Sequence, residues 1–224
     1  MKSQILIFAF TLLFLNNYAQ KTGCIEGNCA NGTGTFSYPN GNTYKGEFVN
    51  HKLNGTGTFT FASGIWKGCR YVGQWNNNVM SGTGIFYYAN GDIYEGQFEN
   101  NKLNGTGTYI FKNGDVYTGA WLDNKCNGKG VFSYADGEYK GCTYEGDWKN
   151  SKMDGQGTFS CANGKKYTGQ VKNNMKDGKG LLILPDGSQY DGFFRQDKFH
   201  GQGCFTYPTG KKVCGKWKNN EYQE

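Results

Sequence analysis

Glycine recurs at fixed positions along this chain, and that recurrence restricts what it can fold into. Gly-x-Gly pairs stand at Gly32/Gly34, Gly55/Gly57, Gly82/Gly84, Gly105/Gly107, Gly128/Gly130, Gly155/Gly157, Gly178/Gly180 and Gly201/Gly203. A further glycine follows each pair, after Asn, Asp, Ser or Thr, at Gly41, Gly64, Gly91, Gly114, Gly137, Gly164, Gly187 and Gly210. Tyr-x-Gly then begins at Tyr44, Tyr71, Tyr94, Tyr117, Tyr144, Tyr167 and Tyr190, with Val213 in the tyrosine's place at the end. The period is 23 residues, stretched twice to 27. Eight copies with four template glycines each account for 32 of the 36 glycines, so glycine is set by position and not by general composition.

Asn-Gly or Asp-Gly between two alternating apolar runs signals a β-hairpin whose turn takes φ > 0. Each repeat therefore reads as one hairpin. Residues two apart on a strand point the same way, so the repeat tyrosine and the aromatic four residues later share a face. That face comprises Tyr44 with Phe48, Tyr71 with Trp75, Tyr94 with Phe98, Tyr117 with Trp121, Tyr144 with Trp148, Tyr190 with Phe194, and the isolated Tyr167 and Trp217. The opposite face is mostly Thr, Ser, Lys, Glu and Gln. A sheet with one apolar face must bury it, by stacking and curling of neighbouring hairpins or against a partner.

Tyr-x-Gly-x-Trp/Phe, a loop, Gly-x-Gly and a turn glycine at this spacing resemble the MORN repeat over residues 32–218. Lys198-Phe199-His200-Gly201-Gln202-Gly203 is the copy most similar to that family's loop; Val171 in place of the aromatic and Val213 in place of the tyrosine depart from it. The resemblance implies an all-β fold: an elongated, twisted, single-layer antiparallel sheet of about eight consecutive hairpins, solenoid-like. It also implies a non-catalytic role in assembly, with a protein partner or a second copy (a homodimer) held on the aromatic face. Membrane phospholipid association, also suggested by the family, is the alternative, together with cell-wall carbohydrate binding by aromatic stacking.

Flanking segments complete the organisation. Lys2 precedes an apolar run from Ile5 to Leu15, and Asn16 to Gln20 follow, so residues 1–19 read as a secretory signal peptide, too short to span a hydrocarbon core of ~30 Å. Residues 20–31 form a cysteine-containing N-terminal cap, 32–218 the array and 219–224 a polar tail. The chain is thus expected in the periplasm, at the cell surface or outside the cell.

Eight cysteines in an exported chain favour disulfides. Cys204 and Cys214 lie equidistant from Thr209 on the last hairpin, Cys24 and Cys29 frame the shortened leading segment, and Cys142 lies within reach of Cys161 in the next hairpin. Cys69 and Cys142 sit in duplicated inserts, Trp66-Lys67-Gly68-Cys69 and Tyr139-Lys140-Gly141-Cys142. Those two stand roughly 28 Å apart, beyond the ~7 Å limit for a bridge; an intermolecular bridge through Cys69 is one alternative open to it. Cys126 takes a loop position otherwise held by Leu or Met and reads as a buried thiol.

Nothing in the chain assembles into catalytic chemistry. Its two histidines, His51 and His200, fall at repeat loop positions, and the Gly-Thr-Gly stretches lack the helix and Lys-Ser/Thr of a phosphate loop. Cys24 and Cys29 lack partner ligands for zinc, so neither metal nor cofactor is expected. Basic residues are scattered without an Arg-rich run, which argues against nucleic acid. One stretch breaks the pattern: Leu181, Ile183 and Phe193 are apolar at outward positions and form a candidate contact patch.

Overall fold

The computed structural model describes residues 22–224; the segment read as a signal peptide lies outside them. Eighteen strands belong to one antiparallel sheet, and no α-helix occurs among the described residues. The chain divides into two compact units, one running to Lys112 with Trp121–Asn124, the other Asn113–Ala120 with Lys125–Glu224. In the first unit β1 (Gly23–Gly27), β2 (Gly32–Ser37), β3 (Thr43–Val49), β4 (Lys52–Thr60), β5 (Arg70–Asn76), β6 (Val79–Tyr87), β7 (Ile93–Glu99) and β8 (Lys102–Ile110) pair each with the next. Strand β9 (Val116–Leu122) is divided between the units. In the second unit β10 (Lys125–Ser133), β11 (Cys142–Lys149), β12 (Lys152–Cys161), β13 (Lys166–Lys172), β14 (Met175–Ile183), β15 (Gln189–Arg195), β16 (Lys198–Thr206), β17 (Lys212–Lys218) and β18 (Glu221–Gln223) do the same.

The template glycines face one another across the strands: Gly34↔Gly46, Gly46↔Gly57, Gly57↔Gly73, Gly73↔Gly84 and Gly84↔Gly96 in the first unit. The second unit repeats the row from Gly130↔Gly146 to Gly203↔Gly215. A tyrosine ring covers every second such pair, Tyr44 over Gly46 and Gly57, Tyr71 over Gly73 and Gly84. A Cβ on Gly84 would lie 2.5 Å from Tyr71 Oη, and one on Gly73 2.4 Å from the same atom. The hydroxyl then donates to a backbone carbonyl three residues on, Tyr71 to Gln74 O at 3.0 Å and Tyr94 to Gln97 O at 3.0 Å. This is why glycine occupies both strands at one level: only a bare backbone lets the ring lie flat.

Where the repeat aromatics are kept on both sides, the tyrosine is then closed in by two of them at right angles; beside Tyr144 and Tyr167 one of the two places is held by Val171. Tyr71 meets Trp75 of its own repeat at 5.2 Å and Phe98 of the next at 4.9 Å; Tyr94 meets Phe98 at 5.2 Å and Trp121 at 5.3 Å. Edge-to-face pairs of this kind add roughly 0.5–1.5 kcal/mol each beyond their burial. The tryptophans place their N–H groups too, Trp148 donating to Gly130 O at 3.2 Å and Trp217 to Gly203 O at 3.0 Å. The seven repeat tyrosines are all at most 2% exposed, and Phe48, Trp75, Phe98, Trp121, Trp148, Phe194 and Trp217 are buried beside them. The aromatic face read from the sequence as a partner-binding surface is instead the core, because neighbouring repeats supply its cover.

Turns depart from the reading in an informative way. At Asn40-Gly41 only the glycine has positive φ (84°), Gly41 N donates to Tyr38 O at 2.9 Å and Tyr38 N to Asn42 O at 2.9 Å. That is a type I turn closed by a glycine bulge. The two-residue turn with both φ positive joins successive repeats, at Asn50-His51, Asn77-Asn78, Asn100-Asn101 and five further pairs. Asn tolerates the left-handed region because its short amide bonds locally. Here that amide also reaches the preceding repeat: Asn78 Oδ1 accepts from Leu53 N at 2.8 Å and Asn101 Oδ1 from Met80 N at 2.8 Å.

Both ends of the glycine row find substitutes for the tyrosine. At Gly34 an added Cβ would meet Cys29 Sγ at 2.8 Å, so the Cys24–Cys29 disulfide fills the space. At Gly215, where Val213 replaces the tyrosine, Tyr222 supplies the ring, within 2.9 Å of where a Cβ would stand. The residues read as a polar tail thus carry β18 and its covering side chain.

A β-bulge interrupts every second pairing, as at Glu47 between Gly46 and Phe48. The bulged side chain accepts from the strand opposite: Glu47 Oε1 from Thr56 N at 2.8 Å and Thr56 Oγ1 at 2.7 Å, and Gln97 Oε1 from Thr106 N at 2.7 Å. These bonds, the backbone one first, hold the Glu47 carboxyl below its ordinary pKa. Such a group contributes stability at pH above the ordinary glutamate value of ~4.3, and that contribution is lost as pH falls through and below it. Glu47→Gln, with the carboxamide used natively at Gln74 and Gln97, is expected to flatten the acid limb of the curve of Tm against pH while leaving Tm at pH 7 nearly unchanged. Gly84→Ala is expected to lower stability by about 1–3 kcal/mol through overpacking against Tyr71, measured by urea unfolding.

Candidate interaction surfaces

With the aromatic side closed, the opposite face of the sheet is the one offered to solvent. Above the glycine row it forms an open groove. In the first unit this groove has a volume of about 830 Å³ and is floored by Gly46, Gly57, Gly73, Gly84 and Gly96. One wall holds the bulge row, Thr33, Glu47, Thr56, Gln74 and Thr83; the other holds Lys45, Thr58, Val72, Ile85 and Glu95. The second unit has a counterpart of about 600 Å³ over Gly119, Gly130, Gly146 and Gly157, walled by Lys129, Gln156, Val131, Glu145 and Thr158. The trough runs between two rows of outward side chains, over a level whose residues face the tyrosine side.

Apolar residues interrupt this polar face in two places. In the second unit Leu181 and Ile183 are half-buried and Phe193 is 48% exposed. Leu181 stands opposite Asp191 and Phe193 opposite Lys179, so Phe193 is the diagonal neighbour of Leu181 across β14 and β15, while Ile183, opposite Gln189, lies two residues further along β14. Phe193 sits at the bulge position that carries Glu, Gln or Asp in five repeats and Ala120 in another, and its Cβ approaches to 3.4 Å of where a Cβ on Gly201 would be. In the first unit Val72 pairs with Ile85, Tyr87 with Ile93, and Ile93 with Ile110. The Arg70 guanidinium lies 4.2 Å above the Tyr87 ring. That second patch escaped the sequence reading because each residue alone sits in a template slot that tolerates any type; only cross-strand register makes them neighbours.

The cysteines pair as Cys24–Cys29, Cys142–Cys161 and Cys204–Cys214. Cys69 and Cys126 are free and buried, so Cys69 offers no intermolecular bridge: its thiol faces the interior, where burial pushes its pKa up. Burial likewise pushes Cys126 up to about 12. Each insert forms a 3-10 turn, Gly64–Trp66 or Gly137–Tyr139, that folds its aromatic inward, Trp66 to 5.7 Å from Phe86 and Tyr139 to 5.5 Å from Phe159. Ile65 at the first tip is 90% exposed. Among the described residues no group of three or more His, Cys, Asp or Glu could hold a metal ion.

Comparison with known families matches the MORN repeat to residues 30–43, 44–65, 71–93, 94–116, 117–139, 144–166, 167–189 and 190–212. The chain belongs to the MORN-repeat family. No curated protein matches it in sequence. Among solved structures it is similar to the TCP10 domain of Danio rerio CPAP, at 13% identity and TM-score 0.47 over 83% of this chain and 84% of that one. It is also similar to the SAS-4 (dCPAP) TCP domain of Drosophila melanogaster, solved in complex with a proline rich motif of Ana2, at 12% identity and TM-score 0.43 over 82% and 88%.

The register identifies why one insert is bridged and the other is not. Cys142 faces Cys161, whereas Cys69, one step beyond the Arg70↔Tyr87 pair, faces Tyr88. Alkylation of the native, non-reduced chain is expected to label neither free thiol, and two thiols after denaturation. Tyr88→Cys is expected to form a fourth bridge and reduce the denatured count to one, read by intact mass.

Proposed function

We propose that this protein is a non-catalytic interaction scaffold, exported to the periplasm or the cell surface, that holds a protein partner or a second copy of itself on the solvent face of its sheet. The observation that carries the reading is the division of the two faces. Aromatic side chains are spent on the core, so the grooved face with its apolar patches is what remains for recognition. Interfaces are marked by contiguous exposed apolar residues with a polar rim, and Leu181, Ile183 and Phe193 among Lys179, Asp191 and Gln189 have that composition. Export is supported by the residues before Lys21 and by the three disulfides, which persist in oxidising compartments.

Light scattering with mass determination, run across a range of concentrations, tests the self-association form, and pull-down with identified partners tests the other. Ile183→Lys with Phe193→Lys is expected to weaken association by at least tenfold without lowering Tm, since both changes lie on the solvent face. A strictly monomeric chain with no partner lost on substitution would refute the reading.

A further inference from the structure

We infer that the second unit carries a binding stripe for a linear anionic polysaccharide, one bearing sulfate or phosphate groups along its chain. The two units differ sharply in charge: among the described residues the first holds six basic and six acidic residues, the second sixteen basic and twelve acidic. The excess is ordered by the sheet. Lys125 on β10, Lys149 on β11, Lys152 on β12, Lys172 on β13, Arg195 on β15 and Lys198 on β16 all flank the two-residue turns, all lie on the solvent face and all are exposed. Only Met175 on β14 breaks the row.

Two pairs in this row are like charges placed directly opposite, Lys149↔Lys152 and Arg195↔Lys198. Such pairs destabilise a sheet, and the repeat does not require them. The same template positions in the first unit hold Val49, Asn76, Val79 and Glu99 as readily as Lys52 and Lys102. Nearby acids offset the row only in part: Asp147 is paired with Lys129 at 2.7 Å and Asp197 with Lys176 at 2.8 Å, while Asp154 and Asp177, which accept from the turn amides of Asn173 and Gln196, keep their charge, so four of the six positive charges remain in excess. Lys152 Nζ reaches only the neutral Asn173 Oδ1, at 3.3 Å.

Geometry selects the ligand. Strands lie ~4.8 Å apart, so the charges form a line one residue wide, suited to a chain laid across the strands. An anionic bilayer would be met by a basic area rather than a line. No aromatic ring stands in the row, so it offers nothing on which a nucleic acid base could stack. This site is separate from the protein contact proposed above and stands or falls independently of it.

The test uses a dextran sulfate surface, with uncharged dextran as reference and phosphatidylglycerol-containing vesicles as the competing source of anionic charge. The protein is expected to bind dextran sulfate, not dextran, with affinity falling steeply as salt rises. Lys149→Gln, Lys152→Gln, Arg195→Gln and Lys198→Gln together are expected to weaken binding at least ~10-fold and reduce the slope of log affinity against log salt by roughly 2–4. Tm should hold or rise, because two like-charge pairs are removed. Changing all three lysines to Arg should preserve binding. Lys45→Gln, Lys52→Gln, Lys67→Gln and Lys112→Gln, the same charge change in the first unit, should leave it unchanged, as should the charge-neutral Ile183→Gln with Phe193→Gln. The inference is overturned by absence of binding, by an equal loss in the first-unit variant, or by tighter binding to the vesicles through the same four residues.

Discussion

In seven of the eight repeats a tyrosine ring lies across two directly opposed glycines, and neither partner can change without the other. A side chain on either glycine would occupy the ring's position, and loss of the ring would expose a backbone level with no side chains to cover it. The perpendicular aromatics depend on this seat, since each packs against the tyrosine of its own repeat and that of the one before, as Phe98 does between Tyr94 and Tyr71. On the solvent face the same glycine row floors the groove, between two rows of outward side chains.

Much of this was legible in the sequence because the period is strict. Hairpin count and strand faces follow from spacing alone, and spacing also brings out three cysteine pairs as candidates without choosing the full connectivity. The covering of the aromatic face does not, because alternation assigns a residue to a side of the sheet but does not reveal whether neighbouring repeats bury that side. Tyr222 was hidden for a related reason: it stands in no template position, and its role is apparent only once Gly215 is seen to need a ring. Asn-Gly is the stronger local turn signal, whereas an Asn-Asn turn gains its advantage from a bond to the preceding repeat, which local sequence does not show.

The surfaces were the least legible part. Val72, Ile85, Tyr87, Ile93 and Ile110 are separated by as many as 38 positions in sequence and come together only through register. The basic row of β10–β16 is dispersed in the same way, one charge per strand, and so passes for an even scatter along the chain. A repeat protein varies most where its template is indifferent, and here those indifferent positions line up across the strands into continuous surfaces.

The turn amides have a further consequence, for the order in which the chain acquires structure. The bonds from Asn78 to Leu53 and from Asn101 to Met80 span 25 and 21 residues, and the ring pairs between repeats span similar distances. Contacts in this sheet are therefore local for an all-β chain, with none of the distant strand pairing that slows sandwiches and barrels. A completed hairpin presents a finished edge, a glycine level and an empty ring seat to the hairpin that follows, so structure can grow from any repeat by successive addition of its neighbours.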